Sequence, residues 1–105
     1  MEINSIVILT LNSPKEKIWG QLQALHPAGV TVRGIDINSF DDFVRQIVAR
    51  EECSVGMAQI FYPMHRVERV ALDESSGSIP SLSERFRGLV GLSIQEYLGI
   101  ETPHT

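Results

Sequence analysis

The chain has almost no cysteine, no long apolar run and no excess of basic residues, and each shortage excludes something. Cys53 is the one cysteine, so no internal disulfide can form, and a lone thiol is kept most easily in a reducing compartment. The cytoplasm is therefore the expected location. No apolar stretch approaches the roughly 20 residues that a membrane-crossing helix needs, so no membrane partner is expected. Lys and Arg number 9 against 13 Asp and Glu, a formal charge of −4. That balance argues against a protein that grips a phosphate backbone over its whole surface. A local basic site stays open, because His65, Arg66 and Arg69 cluster and Arg85 and Arg87 form a smaller pair.

Signatures of chemistry are missing as well. His26, His65, His104 and Cys53 have no short ligand spacing, so no metal is expected. There is no phosphate loop and no dinucleotide fingerprint, so no cofactor is expected. Cys53 could be joined with His65 as nucleophile and base, but no catalytic signature surrounds either, and a lone cysteine reads as a small buried hydrophobe. A non-enzymatic protein is the expectation.

What is present is the composition of one soluble domain: 43% hydrophobic and 21% charged residues in a chain of 105, with mean hydropathy +0.02. One core of modest burial fits that length. "SIVILTL" (5–11) follows an acidic residue with no basic leader, and reads as a first strand rather than a signal peptide. "EKIWGQLQALH" (16–26) alternates as a second strand, and "VTVRGIDI" (30–37) as a third. Gly20 and Gly34 inside these strands weaken them unless the backbone bends sharply or approaches another segment there. The period then changes. In "NSFDDFVRQIVAREE" the apolar residues Phe40, Phe43, Val44, Ile47 and Val48 mark one face of a helix over about 39–51, capped by Asn38 or Ser39.

"SVGMAQIFYPM" and "RVERVALDE" read as two further strands divided at Pro63, which has no N–H to give to a central ladder. "DESSGSIPS" (73–81) reads as a loop. "SLSE" at 81–84 and "SIQE" at 93–96 are capping-box patterns, placing C-terminal helix over about 82–98 with a second short helical turn beginning at "SIQE", and "IETPHT" (100–105) as a frayed tail. Trp19, Phe40 and Phe43 are expected in the core or an interface. The order predicts a mainly β single domain, 1–105, with helices: five antiparallel strands in a small barrel, or an α+β open sheet. The apolar strands "IVILTL" and "AQIFY" pose an edge problem that pairing with another copy would solve, so a homo-oligomer joined through edge strands is expected.

"QIFYPMHRVERV" (59–70) resembles the second Sm motif of the bacterial Sm-like RNA chaperones, in which a strand ending in Tyr meets a basic, His-containing turn and a short apolar strand. "VILTLNSPKEKIWGQL" (7–22) is similar to the first Sm motif, with Ile18 two positions before Gly20. The resemblance spans about 6–72, with the 39–51 helix as an insertion. It implies an SH3-like or Sm-like barrel whose fourth and fifth strands join neighbouring subunits into a ring, and RNA as a partner. The nucleic-acid site would comprise Tyr62, His65, Arg66 and Arg69, an aromatic platform beside cations. In the competing reading Tyr62 caps the barrel while Arg66 and Arg69 pair with Glu68 and Asp73, and the domain is a protein-interaction or assembly module. "HPAG", standing where the family has base-contacting residues, suits that rival.

Overall fold

The computed structural model describes residues 1–50 and 56–100. Strands β1 (Ile6–Leu11), β2 (Glu16–His26) and β3 (Gly29–Asp36) are followed by a 3-10 turn at Ile37–Ser39 and helix α1 (Phe40–Ala49). Strand β4 (Ala58–Pro63), a 3-10 turn at Met64–Arg66, and strand β5 (Val67–Leu72) come next, and helices α2 (Leu82–Val90) and α3 (Ile94–Leu98) follow. The strands form one antiparallel sheet in the order β4-β3-β2-β1-β5. Among the described residues no ladder joins β4 to β5, so the sheet is open and both are edge strands. β1, expected to share the edge problem, is instead central, paired with β2 on one side and β5 on the other.

Both faces of this sheet are covered, because strand alternation sends apolar residues to two separate cores. Ile6, Trp19 and Ile35 meet Phe40, Phe43 and Val44 of α1, Phe86 of α2 and Ile94 of α3 on the outer face. Trp19 is fully buried, with its ring 5.2 Å from Phe40 and 6.0 Å from Phe86. Aromatic residues are scarce, yet five of them, Trp19, Phe40, Phe43, Phe86 and Tyr97, form this one cluster. On the inner face Val7, Leu9, Leu11, Ile18, Leu22, Val30 and Val32 pack with Tyr62, Met64, Val67 and Val70. Among the described residues no helix joins that inner core, so the sheet curls over its own residues.

A glycine pair lets two strands of the sheet approach closely. Gly20 and Gly34 are directly opposite each other in the β2–β3 register. A methyl group on Gly20 would run into the Arg33 carbonyl oxygen and lie 2.6 Å from the Gly34 Cα. The two backbones can approach that closely only without side chains.

The helices start and stop on local signals. Ser81 and Ser93 each accept a hydrogen bond from the N–H three residues on, and Glu84 and Glu96 reach back to complete both capping boxes. The Ser93 N–H and hydroxyl hold the Glu96 carboxyl below its usual range. The helical stretch expected over 82–98 is divided: Gly91 adopts φ 95° and ends α2, and Ser93 starts α3 where the second helical turn is expected. The first helix begins at Phe40, not Ser39. Ser39 makes no side-chain cap, and Asp36 instead accepts from the Asn38 N–H to form the preceding 3-10 turn. It ends at Arg50 in the left-handed conformation. Residue 51, Cys53 and the start of "SVGMAQ" lie outside the described residues, as does the tail beyond 100. Among the described residues no helix is long and apolar enough to cross a membrane.

Candidate interaction edge and basic corner

The turn at Met64–Arg66 carries His65 and Arg66, with Tyr62 on β4 before it and Arg69 on β5 after it, and the fold gives these four residues different tasks. Arg66 is turned inward. Its Nε donates to the Asn12 carbonyl at 2.8 Å and its Nη2 to the Pro14 carbonyl at 2.9 Å. Nη2 also meets the Glu16 carboxylate at 3.2 Å, and the Arg66 carbonyl accepts from the Asn12 N–H at 2.8 Å. Arg66 therefore clamps the β1–β2 turn to the β4–β5 corner, and its acidic partner is Glu16, not Glu68 or Asp73. Tyr62 sits opposite Val30 and packs into the inner core. Burial, reinforced by Glu16, pushes its phenol above the usual range, partly offset by Arg66.

His65 and Arg69 remain outside, both exposed. Strand register and the β1–β2 turn add Lys17 and Lys15, which the sequence had not connected with them. Lys17 lies opposite Thr10, and Thr10 lies opposite Arg69. The two cations thus flank one strand on the outer face, roughly 10 Å apart at the usual inter-strand spacing, with Thr10 buried between them. Lys15 is exposed in the turn that Arg66 holds. Lys15, Lys17, His65 and Arg69 form no ion pair with the described residues. The corner is a small basic surface standing on an internal Arg66–Glu16 clamp.

The second feature is the edge. The Met64 N–H bonds the Ala28 carbonyl at 2.9 Å, and β4 pairs with β3 in the register Tyr62↔Val30, Ile60↔Val32. Antiparallel alternation then directs the backbone groups of Ala58, Ile60 and Tyr62 to β3, and those of Gln59 and Phe61 outward. Pro63 shares the outward phase, so its missing N–H costs the β3 ladder nothing and ends the open edge. Ile60 is 40% exposed and Phe61 52%, on a strand that carries no charge from Ala58 to Pro63. The Phe61 ring is held against Gly29, where a methyl group would lie 2.5 Å from its Cζ. A second apolar surface is a groove of about 400 Å³ between α1 and α2, lined by Val44, Val48, Ala49 and Leu89 with Asp41 and Arg45 at its rim.

Comparison with protein-family models, curated proteins and solved structures finds no match. The physical features of the edge and corner thus carry the functional reading. The other strand at the sheet boundary, β5, differs from β4. A register shift leaves Glu68 as an extra residue between the Thr10↔Arg69 and Leu11↔Val67 pairs, and such a bulge, with charged neighbours, is a common way of guarding an edge.

Proposed function

We propose that this chain is a cytoplasmic assembly module, a small Sm-like β domain without chemistry of its own that takes a strand from another chain along β4. The outward N–H and C=O groups of Gln59 and Phe61, beside the exposed Ile60 and Phe61 side chains, carry this reading. An uncharged, exposed edge of this kind favours strand addition because main-chain hydrogen bonds and apolar burial are gained together. The strand order supports the Sm-like part of the proposal: β4 and β5, the strands through which such a barrel would join its neighbours, are the two edges. Native chain is expected to show a concentration-dependent mass above one chain by sedimentation. Gln59→Pro, which removes an outward N–H and leaves the β3 ladder intact, should weaken that association about tenfold or more. A native mass of one chain throughout the micromolar range would sink the self-assembly reading.

The exposed row of Lys17 and Arg69, with Lys15 and His65 close by, favours a second reading in which single-stranded RNA lies on the corner. Arg66 and Tyr62 then support the surface rather than touch the base. Binding by so few cations on an acidic protein is weak and salt-sensitive. A labelled oligonucleotide at low salt is expected to gain anisotropy with native chain, and about tenfold less readily with Lys17→Ala/Arg69→Ala. Absence of any anisotropy change with native chain removes this reading.

A further inference from the structure

We infer that the strand added to β4 is β4 of a second copy, paired antiparallel about a twofold axis at Ile60. This rests on the strand-addition reading and specifies its partner and register. Gln59 and Phe61 are the two residues of β4 with both a donor and an acceptor facing outward. Centring the axis on Ile60 places Gln59 of each copy opposite Phe61 of the other, so two complete pairs exchange four main-chain hydrogen bonds. The neighbouring in-phase registers do worse. Centred on Phe61, each Gln59 carbonyl faces a Pro63 nitrogen that cannot donate. Centred on Gln59, each Phe61 faces Met57, which lies outside the strand and whose carbonyl already accepts from Arg33 Nη1 at 3.3 Å.

The side chains agree with that register. Ile60 shares the inner face with Val32, so the two Ile60 side chains meet across the axis. Phe61, on the outer face, lies beside Gln59 of the other copy, whose flexible aliphatic stem can cover the ring. No charge on either strand opposes another. The competing partner is β5 of a neighbour, as in an Sm-like ring. Its outward backbone belongs to Val70 and Leu72, because the Asp73 N–H bonds the Ile6 carbonyl at 3.0 Å and Ala71 pairs with Ile8. That edge carries the Glu68 bulge and Arg69, which disfavour a straight ladder.

The test uses the full chain with Ile60→Cys in a Cys53→Ser background. Across the axis the residue-60 pair is non-hydrogen-bonded, with Cα atoms about 4.5 Å apart, within the range a disulfide spans. Mild oxidation should therefore convert most of the assembled protein to a covalent dimer. Gln59→Cys in the same background, opposite Phe61 rather than itself, should not cross-link. In native chain, association should slow hydrogen exchange at the Gln59 and Phe61 amides and leave Val70 and Leu72 unchanged, a readout that needs no variant. A Gln59→Pro-sensitive mass with no residue-60 cross-link, or with Val70 and Leu72 protected, overturns the twofold register and leaves strand addition standing. A native mass of one chain overturns both.

Discussion

Gly20→Ala is expected to destabilise the domain by about 3 kcal/mol, at the upper end of ordinary overpacking costs. The added methyl meets backbone rather than side chain: the Arg33 carbonyl, the Arg33 carbonyl carbon at 2.8 Å and the Gly34 Cα at 2.6 Å. A side chain could rotate away, but these atoms belong to the β2–β3 ladder and can retreat only by opening it. Gly34→Ala should behave alike, since its methyl would lie 2.5 Å from the Trp19 carbonyl. Gly88→Ala is the control. It sits in α2 with nothing within 4 Å of the added methyl, and alanine there should stabilise by up to about 1 kcal/mol through helix propensity. Urea unfolding measures all three. A Gly20→Ala loss no larger than the Gly88→Ala change would show that the strands do not approach as closely as the register requires.

Asp73→Ala should cost about 3 kcal/mol as well, for a different reason. One carboxylate oxygen accepts from the Trp19 indole N–H at 3.0 Å, the Ser83 N–H at 2.7 Å and the Ser83 hydroxyl at 2.7 Å. The other accepts from the Leu82 N–H at 3.1 Å. With Ser81 taking the Glu84 N–H, the open donors of the first turn of α2 are satisfied, and the negative charge sits at the favourable end of that helix. Alanine orphans the indole N–H of the fully buried Trp19 and uncaps α2 together. An asparagine in place of Asp73 would keep the contacts of one oxygen by presenting its side-chain carbonyl to Trp19 and Ser83, and would lose the one to Leu82. Asp73→Asn should therefore cost about half as much. Denaturation followed by Trp19 fluorescence reads both, and equal losses for the two variants would contradict this assignment.

Trp19 and Asp73 also show where sequence reading reaches its end. The alternation in "EKIWGQLQALH" locates β2 over 16–26, and the "SLSE" and "SIQE" patterns locate two helix starts, because each signal acts within a few residues. The glycines inside the strands announce a bend for the same local reason. Nothing local tells Asp73 that its partner is Trp19, or Arg66 that it will meet Asn12, Pro14 and Glu16. The separations run from 50 to 54 residues. Lys17 and Arg69 join one surface only because both align with Thr10 of the strand between them.

The strand and helix segments, the close-approach glycines and the uncharged character of β4 are legible in the chain alone. These follow from side-chain periodicity, capping and backbone freedom, which are properties of neighbouring residues. Only the assembled sheet makes β1 central and β4 an edge, turns Gln59 and Phe61 outward, and makes Arg66 a clamp while Lys17 and Arg69 flank Thr10. Those outcomes depend on strand order and register, set by the cooperative burial of two cores on opposite faces of one curled sheet.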